Sequence, residues 1–219
     1  MELGTVISIN TGLPETVKFG KKDISTGINK SPIGTQPVYL SRTGLNGDGQ
    51  GDLVFHGGAD KAVCVYSAEH FPYWEGRWQR EVLPGAFGEN FTVSALTEHE
   101  VCIGDIWSVG ETVVQVSQPR QPCYKLGMKH QLPELAHEVQ LNGFTGFYLR
   151  VLAEGHVRQG EKLLLTESHP AAITIAEANR VMHIDKQDKA GIRSLLAIAE
   201  LSESWQHTLA GRLEKLEAE

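Results

Sequence analysis

Cys123 is the side chain best placed to do chemistry. It lies in the run Gln118-Pro119-Arg120-Gln121-Pro122-Cys123-Tyr124-Lys125-Leu126, directly after an apolar stretch. Two prolines stiffen the approach, so the thiol is presented on a strand-end loop rather than packed within a strand. Arg120 and Lys125 put positive charge beside it, which favours the thiolate, the form that attacks electrophiles or ligates metals. A plain loop cysteine is the competing reading of the same pattern. Cys64 and Cys102 sit inside apolar runs and read as small core residues.

Three other segments could serve an anion or a heterocycle. After Gly47-Asp48-Gly49-Gln50-Gly51-Asp52 comes a short apolar run, Leu53-Val54-Phe55, and then His56-Gly57-Gly58-Ala59-Asp60-Lys61. Gly57 and Gly58 would let backbone amides approach an anion, Lys61 adds a point charge, and His56 could act as general acid or hydrogen-bond donor. The Gly-Lys-Ser/Thr ending of a phosphate-binding Walker loop is absent. Taken alone, a simple turn and a structural histidine account for these residues better. The stretch 21–32 brings Ser25, Thr26, Gly27 and Lys30 together with two more lysines, a composition suited to phosphate or to a solvated loop, and one that cannot easily form a core strand. In Gly88-Glu89-Asn90-Phe91, Asn90 could read a heterocycle edge and Glu89 could transfer a proton. His56 and His70 lack ligand-like spacing to further Cys or His, which argues against zinc.

The elements that must position these residues are mainly β. Val6–Ile9, Pro37–Leu40, Leu53–Phe55, Phe91–Val93, Ile106–Val109, Thr112–Val116, Phe147–Leu152 and Lys162–Thr166 are short, β-branched-rich runs punctuated by Gly, Pro and Asp. Without regularly interleaved helices they favour a barrel or sandwich. The echo between Ile103-Gly104-Asp105-Ile106-Trp107 and Gln159-Gly160-Glu161-Lys162-Leu163 supports closure of a barrel, although ordinary turn chemistry would also produce it. Ser67 predicts a short helix carrying Phe71 and Trp74, cut short by Pro72, and Leu132, Leu135, Ala136 and Val139 share one helical face. After Pro170 the pattern turns helical. Three apolar stripes follow: Ala178/Val181/Met182 behind a Thr174–Glu177 capping box, Ile192/Leu195/Leu196/Ala199, and Trp205/Leu209/Leu213/Leu216 capped by Ser202. Some fifty residues bury too little surface to be stable alone, so this segment must lean on the barrel or on a partner.

Composition narrows the class. The chain has 219 residues, 41% of them hydrophobic, enough for one domain plus a small appendage, and its net charge of −7 disfavours a nucleic-acid polymer as partner. Glycine, at 23 residues, exceeds its usual share of about 7%. Three scattered cysteines point to a reducing compartment rather than a disulfide scaffold. No apolar run suits a membrane span and no secretory signal is visible, so the expected location is cytoplasmic.

Taken in order, Thr26-Gly27-Ile28-Asn29-Lys30-Ser31-Pro32, Gly47–Asp52, His56–Val63, Gly88–Phe91, Ile103-Gly104-Asp105 and Arg120-Gln121-Pro122-Cys123 resemble the MOSC family, named after the C-terminal domain of molybdenum cofactor sulfurases. The resemblance implies a MOSC β-barrel over 1–165 with a few short helices. The tail, 171–219, is similar to the three-helix appendage of the stand-alone bacterial subgroup, which resembles reductases of N-hydroxylated compounds. It further implies a molybdopterin-type molybdenum cofactor with Cys123 as thiolate ligand to the metal. The phosphate would lie against the Ser25–Lys30 loop and the Gly57-Gly58 turn, and His56, Asp60, Lys61, Asn90 and Arg120 would hold the pterin or tune the metal's surroundings. The implied reaction is a two-electron reduction of small N-hydroxylated substrates (hydroxylaminopurine-type bases, amidoximes, hydroxylamines), releasing amine or amidine and water. Three isolated cysteines cannot supply an iron–sulfur set, so electrons would come from a separate, flavin-type reductase docking on the tail, whose apolar face could equally serve a homodimer. The alternatives are a sulfur carrier with a Cys123 persulfide and a non-catalytic cofactor-binding protein. The pyridoxal-dependent desulfurase domain of larger fused relatives has no counterpart here, and no second cysteine follows Cys123 closely, which disfavours a dithiol relay.

Overall fold

A computed structural model of the chain describes residues 1–20, 22–51 and 57–218. Its centre is a closed barrel of seven strands, in the order β1 (Glu2–Thr11), β13 (Lys162–Glu167), β9 (Ile106–Val109), β10 (Thr112–Pro119), β11 (Phe147–Ala153), β7 (Val63–Ser67) and β8 (Phe91–Ser94), with β8 pairing back to β1. Every pair is antiparallel except β7–β8. A parallel pair cannot be joined by a tight hairpin, and the crossover it requires carries α1 (Phe71–Trp78) and the loop 79–90. Smaller strands complete the sheets: β2 (Glu15–Phe19) with β3 (Lys22–Thr26), β4 (Ser31–Pro32) on β1, and β5 (Val38–Ser41) between β6 (Gly44–Leu45) and β12 (Gly155–Val157). The repeated Gly-acid turns do serve closure. Gly104 and Gly160 take positive φ (88° and 92°), and β9 and β13, which follow them, pair side by side.

Some expectations are corrected. Lys22–Thr26 is a strand, not a loop, although its exposed pattern keeps it out of the core. Pro72 does not truncate α1, because it occupies the first turn, where its missing N–H costs nothing, while Ser67 caps the single turn before it. Leu132 precedes α3 (Leu135–Asn142) and is exposed. A further helix, α2 (Tyr124–His130), starts directly after Cys123. The apolar run Leu53–Phe55 and His56 lie outside the described residues.

The helical segment comprises α4 (Ile175–Asn179), a π-helical turn over Arg180–Ile184, α5 (Lys189–Leu196) and α6 (Glu203–Ala218). Thr174 caps α4 by accepting the Glu177 N–H at 3.1 Å, and Asp188 caps α5 by accepting from Gly191 at 2.8 Å. Ile175, Val181, Ile192, Leu195, Trp205 and Leu209 share one apolar cluster with barrel residues such as Val6, Trp107 and Val114. The segment leans on the barrel. A second cluster, built from Tyr66, Trp74, Phe87, Leu126, Leu135 and Val139, fastens α1, α2 and the loop 79–90 to β7.

His183 is a polar intruder in the tail. Burial, then the Lys186 and Arg212 charges, push its pKa down to about 4, and its Nε2 has no hydrogen-bond partner among the described residues. Below about pH 6.5 the unfolded chain takes up a proton that the native state refuses until about pH 4, so acidification through that window removes stability. His183→Leu should therefore show a shallower fall of Tm between pH 6.5 and 4 than the parent chain; parallel curves would contradict this assignment.

Candidate functional site

Sheet register gathers the functional residues at one end of the barrel. Pro119 pairs with Phe147, Phe147 with Val65, Val65 with Phe91 and Phe91 with Ile9, so Arg120, Tyr148, Cys64, Asn90 and Asn10 stand around one rim. Of these, Arg120, Tyr148, Cys64 and Asn90 line a narrow cavity of about 80 Å³ with Thr26, Gly27, Lys30, Lys61 and Cys123, among others. Cys123 and five of these neighbours also line a wider cleft of about 1030 Å³, so the cavity opens outward past the thiol.

Cys123 is half-buried at the N-cap of α2; its backbone is extended (φ −119°, ψ 165°) and its side chain makes no capping hydrogen bond. Leu126, fully buried in the second apolar cluster, anchors the helix that follows. The thiol is thereby presented at the junction of cavity and cleft without being spent on local structure.

Around it the walls are cationic. Lys30, Lys61, Arg120 and Lys125 line the inner cavity, and no carboxylate does so among the described residues. This inverts the chain's overall charge of −7 and suits an anionic ligand. Asp48 sits behind Lys30 as its ion-pair partner and also accepts from the Gly12 N–H (2.9 Å) and Asn90 Nδ2 (2.8 Å). Lys125 Nζ donates to the Ser25 carbonyl at 3.0 Å, tying the β3 end to α2.

Arg120 is the most informative of these residues. Its guanidinium is buried, Nη2 donates to the Phe87 carbonyl at 2.7 Å, and Nη1 has no partner among the described residues. An orphaned, charged donor in a cavity wall costs free energy unless a ligand acceptor satisfies it. Glycines let the opposite wall close. A Cβ on Gly51 would lie 2.6 Å from the Thr26 nitrogen, and one on Gly27 would collide with the Gly49 carbonyl, so the two loops meet backbone to backbone.

Other expected site residues fall elsewhere. Glu89 is completely buried, and its carboxylate accepts from the Gly85 and Phe87 amides (2.6 and 2.9 Å) and the Thr92 hydroxyl (2.8 Å). It holds the crossover loop from behind and does not line the cavity; burial raises its pKa. The proton-transfer role expected for it is corrected to an organising one. Asn90 does line the cavity, but its amide is committed: Oδ1 accepts from the Cys64 N–H (3.1 Å) while Nδ2 serves Asp48 and the Asn10 carbonyl. It orients the wall rather than reading a ligand edge. Asp60 points away from the cavity, pairing with Arg150 at 2.7 Å and accepting the Glu203 N–H at 3.2 Å. Gly57 and Gly58 do not line it, Gly58 being an exposed turn glycine (φ 97°), and Ser25 faces only the outer cleft. Cys64 is a core thiol as expected, yet it also lines the cavity, with its pKa pushed up to about 11 by burial. Tyr148 and Gln121 were not singled out in the sequence, whereas Lys125, expected as positive charge beside Cys123, does line the cavity. Tyr148 lies on β11 between Phe147 and Leu149, whose side chains are buried in the barrel core, and its phenol is likewise pushed up by burial.

The barrel and its rim site define the class: the chain belongs to the MOSC domain family. The MOSC domain model matches residues 52–164, and that of the YiiM-like 3-alpha helix domain matches 173–216. Among particular proteins, the chain is 48% identical to YflK of Bacillus subtilis (strain 168), over 97% of this chain and 96% of that one. The crystal structure of YiiM from Geobacillus stearothermophilus superimposes with a TM-score of 0.81 at 39% identity, covering 96% of this chain and 99% of that one. A protein of Gibberella moniliformis (strain M3125 / FGSC 7600) named "Reductase" is 33% identical over 67% of this chain but only 27% of its own length. Among the described residues no helix is long and apolar enough to cross a membrane.

Proposed function

We propose that this chain is a molybdenum-cofactor-dependent oxidoreductase that reduces N-hydroxylated compounds, with Cys123 as the protein thiolate on the metal. The observation that carries this reading is one cavity holding a presented thiol, a buried arginine with a donor that has no partner among the described residues, and three lysines. A soft thiolate suits a metal already bound by sulfur, and the cationic wall suits the cofactor's phosphate. The donor set therefore fits the group. When bound, the cofactor supplies the two-electron chemistry that cleaves the N–O bond.

The chain's own residues bind and orient. Thr26, Gly27 and Lys30 hold the phosphate against the closed backbone wall, and Arg120 Nη1 donates to a pterin or phosphate acceptor. Lys61 and Lys125 offset negative charge. The proton that accompanies loss of water is assigned to His56, on sequence grounds. The relative named as a reductase supports reduction as the reaction class. Electrons are assigned to a separate flavin-containing reductase, because three cysteines cannot supply a four-thiolate cluster.

The test is metal analysis of chain made in a cofactor-producing host, with reduction of an N-hydroxylated purine by an artificial donor. Near-stoichiometric molybdenum with turnover is expected. Protein without molybdenum overturns the reading, and cyanide-labile sulfur on Cys123 would instead mark a sulfur carrier. Bound cofactor without turnover would mark a carrier of the cofactor.

A further inference from the structure

We infer that α6 is the outer wall of the substrate cleft, and that His207, flanked by Ser204 and Thr208, is a specificity-determining residue for the polar edge of the substrate. This rests on the reductase reading above for the substrate's identity, not for the geometry.

Ser204, His207 and Thr208 line the same cleft as Cys123 and Tyr124. Their i, i+3, i+4 spacing puts them on one helix face. The opposite face, Trp205 and Leu209, is fully buried in the barrel cluster. The helix cannot roll without exposing that core, so its polar face is held towards the thiol.

The first turn of α6 is also fastened to the strand that delivers Cys123. The Ser202 N–H donates to the Ser117 carbonyl at 3.0 Å, and Ser204 Oγ donates to Gln118 Oε1 at 3.2 Å. Asp60, itself held by Arg150, accepts from the Glu203 N–H at 3.2 Å. Ser117 and Gln118 belong to β10, only a few residues before Cys123. Wall and thiol are therefore set by one strand, and the spacing between them is a property of the fold.

His207 is exposed at this wall, and its imidazole makes no hydrogen bond to another described residue. A neutral imidazole offers one donor and one acceptor. Amidoximes and N-hydroxylated aminoheterocycles carry a donor and an acceptor beside the N–OH group, whereas hydroxylamine itself has no such edge. His207 should therefore matter for the first two classes and be indifferent to the third.

Two measurements test this. Geometry is read without any cofactor, as the rate at which a bulky maleimide modifies Cys123, followed on its peptide by mass spectrometry. His207→Trp and Thr208→Trp should each slow that rate several-fold, while Glu214→Trp, exposed further along α6, should leave it unchanged. Unaltered rates in both cleft variants overturn the wall assignment. Specificity is read by calorimetry of adenine binding to the molybdenum-loaded chain and by KM. His207→Leu should weaken adenine binding about tenfold, the loss of a well-placed hydrogen bond. It should raise KM for the N-hydroxylated purine similarly, with kcat and hydroxylamine reduction little changed. Equal adenine affinity in parent and variant overturns the specificity role. A parent chain without turnover overturns only the reductase reading, because the maleimide rates still decide the wall.

Discussion

Cys123→Ala is expected to abolish molybdenum retention while leaving the fold intact. The side chain is half-buried and makes no capping hydrogen bond, so its removal should change stability by less than about 0.5 kcal/mol, as for an ordinary surface site. The metal loses its only protein thiolate under the proposed function, and content measured by plasma mass spectrometry should fall at least about tenfold, the scale seen when even an outer-shell partner is lost. Cys123→Ser separates softness from volume: the hydroxyl keeps the shape but is a poor ligand for a soft site, so the serine variant should behave like alanine. Cys64→Ala is the informative contrast. Cys64 lines the same cavity, but burial pushes its pKa up to about 11, so near neutral pH it is a thiol and not a ligand. That variant should keep its molybdenum and lose about 1 kcal/mol of stability through the vacated volume. Full metal content and turnover in Cys123→Ala would sink the assignment of the ligand.

How far the fold and site could be read in advance depended on whether a segment carried its own signal. Barrel strands such as Ile106–Val109 and Phe147–Ala153 were legible because β-branched runs end at glycine turns, and the three tail helices because their apolar stripes have the helical period. The β2–β3 hairpin was not, since Val17 and Ile24 are only half-buried and lysines dominate its ends. Its pairing is fixed by neighbours, namely Asn29 reaching Glu15 and the Gly27–Gly49 approach. The helix after Cys123 lacks a capping side chain and contains Gly127, so local propensity argued against it; burial of Leu126 forms it instead.

Within the site, residue type was a better guide than role. Cys123, Arg120, Lys30 and Asn90 were all recognisable from their segments and all reach the cavity. Glu89 was expected to transfer a proton and Asp60 to hold the cofactor or tune its surroundings, but a carboxylate is also the best acceptor for loop amides and arginines, and that use claimed both. Nothing in a linear reading shows that Gly85 and Phe87 would aim their N–H groups at Glu89, because the turn that does so is built by the crossover between parallel β7 and β8. Cys64 shows the converse: its apolar run marked it as core, and only the barrel's register reveals that the core at that level borders the cavity.

Trp205→Ala should cost about 3–5 kcal/mol, the range for emptying a fully buried large aromatic site. Small domains have only about 5–15 kcal/mol in total, so this is a large share, measurable as a drop in denaturant midpoint. Trp205 is where barrel and tail meet: it is 0% exposed, in one cluster with Val6, Trp107 and Val114, and its backbone N–H donates to the Ser202 hydroxyl at 3.4 Å. Its indole Nε1 has no hydrogen-bond partner among the described residues, so Trp205→Phe discards an unsatisfied donor while keeping much of the packing and should cost distinctly less. Because the cluster is continuous, the alanine variant should still unfold in one transition, at lower denaturant. An early separate transition of the helices would show that the tail is an independent unit instead. The same continuity makes deletion of 171–219 a poor probe of partner docking, since it would bare Ile175, Ile192, Leu195 and the barrel residues they cover. Point changes on exposed tail positions are the sound route, and loosening at Trp205 should reach the cleft before the barrel melts, because Ser202, Glu203 and Ser204 hang from the turn that Trp205 pins. Maleimide reaction at Cys123 should accordingly accelerate in Trp205→Ala at denaturant concentrations where the barrel signal is still native; a rate unchanged until global unfolding would contradict that coupling.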